Sequence, residues 1–338
     1  MRTTMYTNKN ILIIGGTGTI GRRLTKELLE QNPKVIRIFS RDEYKQFEMQ
    51  QELQNHKNIR YLIGDVRDEN RLLRAMEDID YVFHLAAMKH VPACEYNPFE
   101  AVQTNVLGTQ NVIQAALTTN VKKVLFTSTD KAIAPTNTYG ATKLTAERLI
   151  SAAQYQKGPK QTIFSSVRFG NVMGSRGSVI PLFIKQIVKE NKITVTDANM
   201  LRYMMTSTQA INLILEANEI AKGGEVFVLK MPIIKLCELV DVLIEEVTQK
   251  YNLSKAVAIK QIGIRPGEKM FEELMTEDEV RVGLETGNMY IIQAPYVGSH
   301  SYKDAHPIHN PPRVREDAAI DKETLRSWIL EEKLVDNP

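Results

Sequence analysis

The sequence predicts an α/β protein with a doubly wound parallel sheet and a smaller C-terminal lobe. In the N-terminal half, short apolar runs alternate with amphipathic stretches, a glycine-rich turn follows the first run, and the alternation stops after about Arg168. Apolar runs without polar alternation are typical of strands that are buried on both faces. Because amphipathic stretches separate these runs, we expect right-handed crossovers between parallel strands.

The individual elements follow from this alternation. The predicted strands are Asn10–Ile14, Val35–Phe39, Ile59–Ile63, Tyr81–His84, Lys123–Phe126 and Thr162–Val167. The predicted helices are Gly18–Glu30, Glu43–Gln54, Glu69–Met76, Glu100–Thr119 and Tyr139–Gln156. Beyond residue 168 we expect helices at Ile180–Glu190, Gln209–Ala221, Leu236–Lys250 and Lys322–Glu332, strands at Ile193–Thr196 and Glu225–Leu229, and an irregular loop at Gly298–Arg315.

Composition excludes several classes of protein. The chain has 338 residues with 43 Lys and Arg against 40 Asp and Glu, spread along its length, which does not indicate nucleic-acid binding. Two cysteines, Cys94 and Cys237, cannot build a disulfide framework. No apolar run approaches the ~20 residues that span a bilayer. We therefore expect a cytoplasmic protein without membrane insertion.

A glycine-rich turn predicts a Rossmann-like dinucleotide site. The first strand runs directly into Gly15-Gly16-Thr17-Gly18-Thr19-Ile20-Gly21. A strand, a tight turn and a helix N-terminus bring backbone N–H groups to a pyrophosphate. The alternative is a purely structural turn. The predicted cofactor contacts here are Gly15, Thr17, Gly18, Thr19, Ile20 and Gly21.

The end of the second strand bears on the choice between NADP and NAD. Ser40 and Arg41 favour NADP, because a guanidinium suits a 2′-phosphate, whereas Asp42 beside them keeps NAD open. Asp65 and Val66 follow the third strand and are placed to reach the adenine. A helix-capping role is the alternative for Asp65.

Two clusters predict the chemistry. Tyr139 and Lys143 are four residues apart and share a helix face, so the cation should lower the phenol pKa and make the phenolate a base. Thr129, Asp130 and Lys131 follow the fifth strand, at the sheet edge where ligands bind. A solvated loop ion pair is the alternative for Asp130 and Lys131.

These motifs resemble the extended short-chain dehydrogenase/reductase family and, within it, the UDP-N-acetylglucosamine 4,6-dehydratases. The nearest pattern is the inverting type of pseudaminic-acid biosynthesis, and the likeness covers roughly residues 9–295. The segments that carry it are Gly15–Gly21, His84–Pro92, Asn105, Ser128–Ala132, Tyr139–Lys143, Arg168–Val172, Gly174–Pro181 and Ile264–Lys269.

The resemblance implies oxidation of the sugar at C4, loss of water across C5–C6 and return of the hydride to C6, with NADP held tightly. By resemblance, Tyr139 takes the C4 hydroxyl proton, Lys143 holds the nicotinamide ribose and Thr129 donates a hydrogen bond at C4. Lys131 would remove the C5 proton and Asp130 would protonate the C6 hydroxyl. Lys131 must be neutral to act as a base, and burial or a neighbouring cation would favour that state.

The resemblance also implies the remaining contacts. Ala86, Ala87, Lys89 and Asn105 would line the cofactor, and Lys89, Asn171, Val179, Arg202, Arg265 and Glu268 would bind UDP-N-acetylglucosamine. Residues 1–170 would form the NADP-binding domain and residues 171–338 mainly the nucleotide-sugar lobe, partly interleaved with the Rossmann core. Family members are homo-oligomers. No metal is expected, because His300, His306 and His309 lack partners at ligand spacing.

Three alternatives stay open at this point. A dehydratase that retains the C5 configuration and a UDP-sugar C4 epimerase belong to the same fold. A non-catalytic NADP-sensing regulator would keep the fold without the chemistry. An epimerase needs the Tyr139–Lys143 pair but has no use for the Asp130–Lys131 couple.

Overall fold

The computed structural model describes residues 4–263 and 267–336. Contacts divide the chain into two compact units. The first unit contains the residues up to Phe169 together with Ile211–Leu229 and Met275–Asn310, and the second contains Gly170–Ala210, Lys230–Leu274 and the residues from Pro311 onward. The chain therefore leaves the first unit after β6 and enters it again twice.

The strands and helices of the described residues are as follows. The strands are β1 Asn10–Ile14, β2 Val35–Ser40, β3 Ile59–Ile63, β4 Tyr81–His84, β5 Lys123–Thr127, β6 Ile163–Arg168, β7 Asn171–Val172, β8 Lys192–Val195, β9 Leu201–Met205, β10 Val226–Leu229, β11 Ile233–Lys235, β12 Ala258–Gln261, β13 Leu284–Glu285, β14 Met289–Ile292 and β15 His306–Pro307. The α-helices are α1 Thr19–Leu29, α2 Glu43–Glu52, α3 Glu69–Met76, α4 Val91–Tyr96, α5 Pro98–Ala101, α6 Gly108–Thr118, α7 Thr138–Gln156, α8 Val179–Glu190, α9 Ser207–Ile220, α10 Leu236–Lys250, α11 Glu277–Val282 and α12 Lys322–Glu331.

The first unit is built on one large sheet. Among the described residues its strand order is β15-β13-β14-β10-β6-β5-β4-β1-β2-β3. β1 pairs in parallel with β2 on one side and with β4 on the other. The strand order thus reverses beside β1, and ligands of doubly wound sheets bind at the strand ends next to such a reversal. The predicted α/β class and doubly wound sheet are confirmed.

Local sequence explains why these segments fold as they do. Every residue of β1 and of β4 is buried, as expected for strands covered on both faces. The helices between the strands begin at polar caps: Asp42, Asp68 and Asn137 accept hydrogen bonds from the backbone N–H groups of Lys45, Arg71 and Gly140. A cap of this kind contributes about 1 kcal/mol.

One predicted helix differs from its prediction. Where the periodicity predicts a helix over residues 100–119, the structure has α5, a π-helical segment at Val102–Leu107, and then α6. A π-helical turn closes its hydrogen-bonded ring with one more residue than an α-helical turn, and the apolar pattern of the sequence is kept. The periodicity of the sequence therefore does not reveal it. π-turns inside helices occur frequently at functional sites, and this one contains Asn105.

The far edge of the large sheet was not predicted. β14 pairs antiparallel with β10 and β13, and β15, inside the predicted irregular loop, pairs with β13. Residues 284–292 come after the alternation of apolar runs and amphipathic stretches has stopped. The sequence pattern therefore did not assign them to the sheet.

The second unit has smaller sheets and a core of its own. Its sheets have the orders β11-β9-β7 and β12-β8 among the described residues. Apolar side chains of α8, α10 and α12 form one cluster, which includes Phe183, Leu243 and Ile329. In the described part of the chain, no helix combines the length and apolarity needed to cross a membrane.

Candidate active site

The glycine turn lies between β1 and α1, at the reversal of the sheet. The backbone N–H of Gly15 donates to the carbonyl of Phe39, 2.8 Å away on β2. A Cβ atom on Gly21 would lie 2.5 Å from Cα of Gly16, so only glycine allows α1 to approach the turn this closely. Gly18 precedes α1, whose first turn holds no acidic residue. This helix N-terminus is therefore suited to an anion.

The other predicted contacts of the turn differ in exposure. Thr17 is buried and its hydroxyl lies 2.9 Å from that of Ser40 at the end of β2. Thr19 and Ile20 begin α1 and are partly exposed. The side chain of Ser40 is therefore held by the turn, next to where a dinucleotide would lie.

Arg41 and Asp42 differ in the contacts that they make. The Arg41 side chain is 63% exposed, and its Nη1 lies 3.7 Å from Oδ2 of Asp65. Asp42 caps α2 and its carboxylate also contacts Lys45. Because Asp42 caps this helix, Arg41 is the one of the two side chains that can contact a ligand.

Asp65 forms an ion pair with Arg67. Nε and Nη2 of Arg67 donate to the two carboxylate oxygens over 3.1 and 2.9 Å. Burial alone would raise the pKa of Asp65, but the hydrogen bonds and charge of Arg67, with Arg41, lower it below its usual value. Val66, the next residue, is buried and lies close to Gly108.

Asn105 fixes the loop that follows β4. Its Oδ1 accepts from the Met88 N–H at 2.8 Å, and its Nδ2 donates to the Met88 carbonyl and to Oγ1 of Thr142, both at 3.0 Å. These hydrogen bonds of the carboxamide thus join the loop to α7. Of the loop residues predicted to meet cofactor or sugar, Ala86 and Ala87 are partly buried and Lys89 is exposed.

Lys143 is a buried cation. Its Nζ donates to the carbonyl of Thr127 at 2.5 Å and lies 3.9 Å from the centre of the Phe126 ring. Burial lowers the pKa of Lys143 to about 7, against the opposing effect of the Glu147 carboxylate. Its charge therefore changes within the physiological pH range.

Tyr139 does not have the lowered pKa that its spacing from Lys143 predicts. Burial raises the pKa of this phenol, and a hydrogen bond with Thr129 and the charge of Lys131 only partly oppose that effect. The expected lowering, by Lys143 together with a positively charged nicotinamide, is absent in the protein alone, where the Nζ of Lys143 is directed to the Thr127 carbonyl. Any lowering has to come with the bound ligands.

Asp130 and Lys131 form the couple that the sequence suggests. Asp130 is buried, and its Oδ1 accepts from the Thr129 hydroxyl at 2.9 Å, from the Lys131 N–H at 2.8 Å and from the Lys131 ammonium at 3.1 Å. The Lys131 side chain is 28% exposed. A neighbouring cation was expected to favour the neutral form of Lys131. The neighbour in this contact is a carboxylate, which stabilises the ammonium form at this distance.

Gly140 brings the two clusters together, and the sequence reasoning did not single it out. A Cβ atom there would lie 2.1 Å from the carbonyl oxygen of Lys131. α7, which carries Tyr139, can therefore touch the short 3₁₀ turn Asp130–Ala132 only because residue 140 has no side chain. Its position next to Tyr139 was the available signal.

The second unit holds most of the predicted substrate contacts. Nδ2 of Asn171 donates to the Tyr203 carbonyl at 3.1 Å and to Glu272 at 3.2 Å. Val179 is the first residue of α8 and packs against the apolar cluster, and Glu268 is partly exposed. Arg265 lies outside the described residues.

Arg202 holds protein backbone. Its guanidinium donates to the carbonyls of Leu201, Met270 and Lys269 at 2.9–3.0 Å. It also lies 3.7 Å from Glu272. In the protein alone this arginine thus organises residues 269–272, which the sequence could not indicate.

The histidine loop shows no metal-binding geometry. The rings of His306 and His309 stack with centroids 5.7 Å apart, and the backbone of His300 exchanges hydrogen bonds with the Gln293 side chain. Across residues 4–263 and 267–336, no three His, Cys, Asp or Glu side chains are grouped so that they could hold a metal ion.

Comparison with known proteins assigns the chain to a family. A family model described as "Polysaccharide biosynthesis protein" matches residues 11–294. The chain belongs to this polysaccharide biosynthesis protein family. The matched range contains the glycine turn and the whole cluster from Thr129 to Lys143.

The proteins that the chain resembles carry different names. The chain is 42% identical over 338 residues to the UDP-N-acetylglucosamine 4,6-dehydratase (inverting) of Campylobacter jejuni, covering 98% of each chain. It is also 42% identical over 292 residues to the UDP-glucose 4-epimerase of Rickettsia bellii, covering 85% of this chain and 84% of the other. The solved structure of Pen from Bacillus thuringiensis is 57% identical, with a TM-score of 0.92, covering 98% of this chain and 99% of the other.

Proposed function

We propose that the chain is a UDP-N-acetylglucosamine 4,6-dehydratase. The observation that carries the proposal is the Asp130–Lys131 couple, with 3.1 Å between Nζ and Oδ1, at the carboxyl end of β5. Dehydration needs a base at C5 and an acid at the C6 hydroxyl, whereas epimerisation at C4 needs neither. The likeness to the Campylobacter jejuni dehydratase over nearly the whole chain supports the same reading.

The first step is oxidation at C4. A bound, oxidised nicotinamide dinucleotide would accept the hydride from C4. Tyr139 takes the proton of the C4 hydroxyl as the C4–H bond breaks, and Thr129, which hydrogen-bonds the same phenol, also reaches the C4 oxygen. In its charged form, Lys143 would stabilise the phenolate that this step requires. The resulting C4 ketone makes the C5 hydrogen acidic.

The second step is the loss of water. Lys131 and Asp130 lie close enough to share one proton, which Lys131 carries when the two form an ion pair. Transfer of that proton over 3.1 Å to Asp130 gives a neutral amine and a carboxylic acid. Those are the two forms that elimination needs: Lys131 takes the C5 proton, Asp130 protonates the C6 hydroxyl, and water leaves. The hydride held by the nicotinamide would then add to C6 while a proton returns to C5, which gives the 4-keto-6-deoxy sugar without consuming an external reductant.

We further propose NADP as the cofactor. The close approach of Gly21 to Gly16 leaves a turn that fits a pyrophosphate, and the exposed Arg41 can meet a 2′-phosphate while Asp42 caps α2. Lys89, Asn171, Val179, Arg202, Arg265 and Glu268 are the proposed contacts to UDP-N-acetylglucosamine. For Arg202, the proposal requires it to keep holding residues 269–270 or to exchange those carbonyls for phosphate oxygens.

A cytoplasmic homo-oligomer completes the proposal. Tyr96, Phe99 and Leu107, near the π-helical segment of the first unit, are each at least half exposed. Exposed apolar side chains of this size favour contact with another protein surface. We also propose that the enzyme inverts the configuration at C5 and acts in pseudaminic-acid synthesis.

The test is incubation of the purified chain with UDP-N-acetylglucosamine, followed by mass spectrometry. Loss of one water from the nucleotide-sugar supports the dehydratase, and a product of unchanged mass with inverted C4 would identify an epimerase. Tight NADP binding with no turnover of any nucleotide-sugar would identify a regulator. In D2O, the C5 coupling pattern by NMR distinguishes an inverted from a retained C5.

A further inference from the structure

The site adjoins a group of four buried charged side chains. Lys143 and Glu147 lie on α7, Arg168 ends β6 and Glu279 lies in α11, and each is more than nine-tenths buried. Their formal charges cancel. Burying a charge without a partner is expensive, so the four residues stabilise the first unit only as a set.

Arg168 fixes the position of the Glu147 carboxylate. Its Nε and Nη2 donate to the two oxygens of Glu147 over 3.2 and 2.7 Å. Its Nη1 and Nη2 also donate to Glu279 over 2.9 Å each. Glu279 is anchored in turn by a capping box with Thr276. Glu147 is therefore held on one side by a planar guanidinium and cannot turn away from α7.

Glu147 lies one helical turn after Lys143, on the same face of α7. The groups that touch the Lys143 ammonium from β5, the Thr127 carbonyl and the Phe126 ring, carry no formal charge. From β4 it faces His84, which is buried and neutral, since burial and then the charge of Lys143 lower the pKa of His84 to about 3. On the far side of Glu147 lie the charges of Arg168 and Glu279, and Arg148 lies 3.7 Å from Glu279.

We propose that Glu147 is a positioning residue that keeps the Lys143 ammonium charged, and that Arg168 holds it in place for this task. Glu147 acts through Lys143 and touches neither substrate nor cofactor. Burial favours the neutral amine and the carboxylate opposes it, which is the balance that leaves the Lys143 pKa near 7. The consequence for turnover rests on the proposed function, but the charge of Lys143 can be measured without it.

The test compares Glu147→Gln with Glu279→Gln in the full chain saturated with NADP. Both variants remove one carboxylate from the same guanidinium, so both should lower the thermal midpoint. In Glu147→Gln alone, the titration of the Lys143 Cε signal in ¹³C-lysine NMR should move down by about one pH unit or more. The alkaline limb of kcat/KM should move by the same amount. Assignment of the signal uses Lys143→Arg.

Glu147→Asp supplies the second variant. It keeps the charge but withdraws it by one methylene, so a smaller shift in the same direction is expected. If Glu147→Gln does not fold, the Lys143 titration in Glu147→Asp tests the inference instead. An unchanged Lys143 titration in the folded variant overturns the inference, whatever substrate the enzyme uses, and so does an equal shift in Glu279→Gln. A normal shift with no turnover of UDP-N-acetylglucosamine would instead count against the proposed function.

Discussion

The Nζ atom of Lys131 lies 3.1 Å from Oδ1 of Asp130, and the same oxygen accepts the hydroxyl of Thr129. Thr129 in turn hydrogen-bonds the Tyr139 phenol. One hydroxyl therefore connects the group proposed to oxidise C4 with the pair proposed to remove water. This connection gives the proposed steps a common site within the first unit.

The acid/base couple can be tested by stopping the reaction halfway. Lys131→Met and Asp130→Asn should each lower water loss by roughly 10²- to 10⁴-fold, the usual contribution of a general acid or base. C4 oxidation should continue, so reduced nicotinamide should accumulate and be visible by its absorbance. Lys122→Met is the matched control, since Lys122 pairs with Asp80 at 2.7 Å away from this cluster. Normal dehydration by Lys131→Met would contradict the assignment.

Gly140→Ala should separate cofactor binding from catalysis. The new methyl group would lie 2.1 Å from the Lys131 carbonyl oxygen, so α7 and the 3₁₀ turn must move apart. A displacement of about 1 Å costs roughly 10²-fold in rate, and we expect kcat to fall by that order while NADP affinity changes little. Gly287→Ala, where a Cβ would meet nothing within 4 Å, is the control. Unchanged kcat in Gly140→Ala would show that the contact does not position Tyr139.

Lys143→Met should lower both activity and stability. Removing one member of a buried charged set leaves a carboxylate uncompensated and typically costs about 3–5 kcal/mol, so the nucleotide-free protein should unfold at a lower temperature and turnover should be lost.

The pH dependence has a definite sign. The folded pKa of Lys143 is about 7, below its unfolded value. Between these two values the unfolded chain binds more protons than the folded one, so this group makes the wild-type protein more stable as the pH rises. The stability of Lys143→Met relative to the wild type should thus be highest below pH 7 and fall above it. Denaturant titrations at several pH values measure this, and a relative stability that grows with pH would be inconsistent with a buried lysine whose pKa is lowered.

Arg41→Ser addresses the cofactor. Loss of a charge-assisted contact to a 2′-phosphate should weaken NADP binding by about tenfold or more, and NAD binding should not change. Calorimetry with both nucleotides measures this, with Arg60→Ser as a control, because Arg60 lies on β3 and donates to the Lys57 carbonyl. Equal losses for the two nucleotides would remove the argument for NADP.

The sequence predicted the parallel strands and the local motifs for physical reasons. Strands such as β1 are buried on both faces and therefore uniformly apolar, and the turn at Gly15–Gly21 needs glycine at fixed spacing. Tyr139 and Lys143 could be paired because an i, i+4 spacing fixes a helix face. Where a local rule determines the structure, the sequence was sufficient.

The parts that were missed depend on contacts between distant segments. The Arg168–Glu279 contact joins residues 111 positions apart, and no sequence pattern near either residue predicts it. Arg202 looked available for a phosphate, yet carbonyls of residues 269 and 270 occupy its donors. The phenol of Tyr139 was expected to be acidified, but burial, a property of the folded unit, raises its pKa.

The most direct test of the proposed dehydratase follows one hydrogen. UDP-N-acetylglucosamine carrying deuterium at C4 is incubated with the purified chain, and the product is analysed by mass spectrometry and NMR. Internal transfer predicts a 4-keto-6-deoxy sugar that has lost one water and carries the deuterium at C6. Deuterium that stays at C4 of a sugar with its water retained would contradict the account and indicate an epimerase.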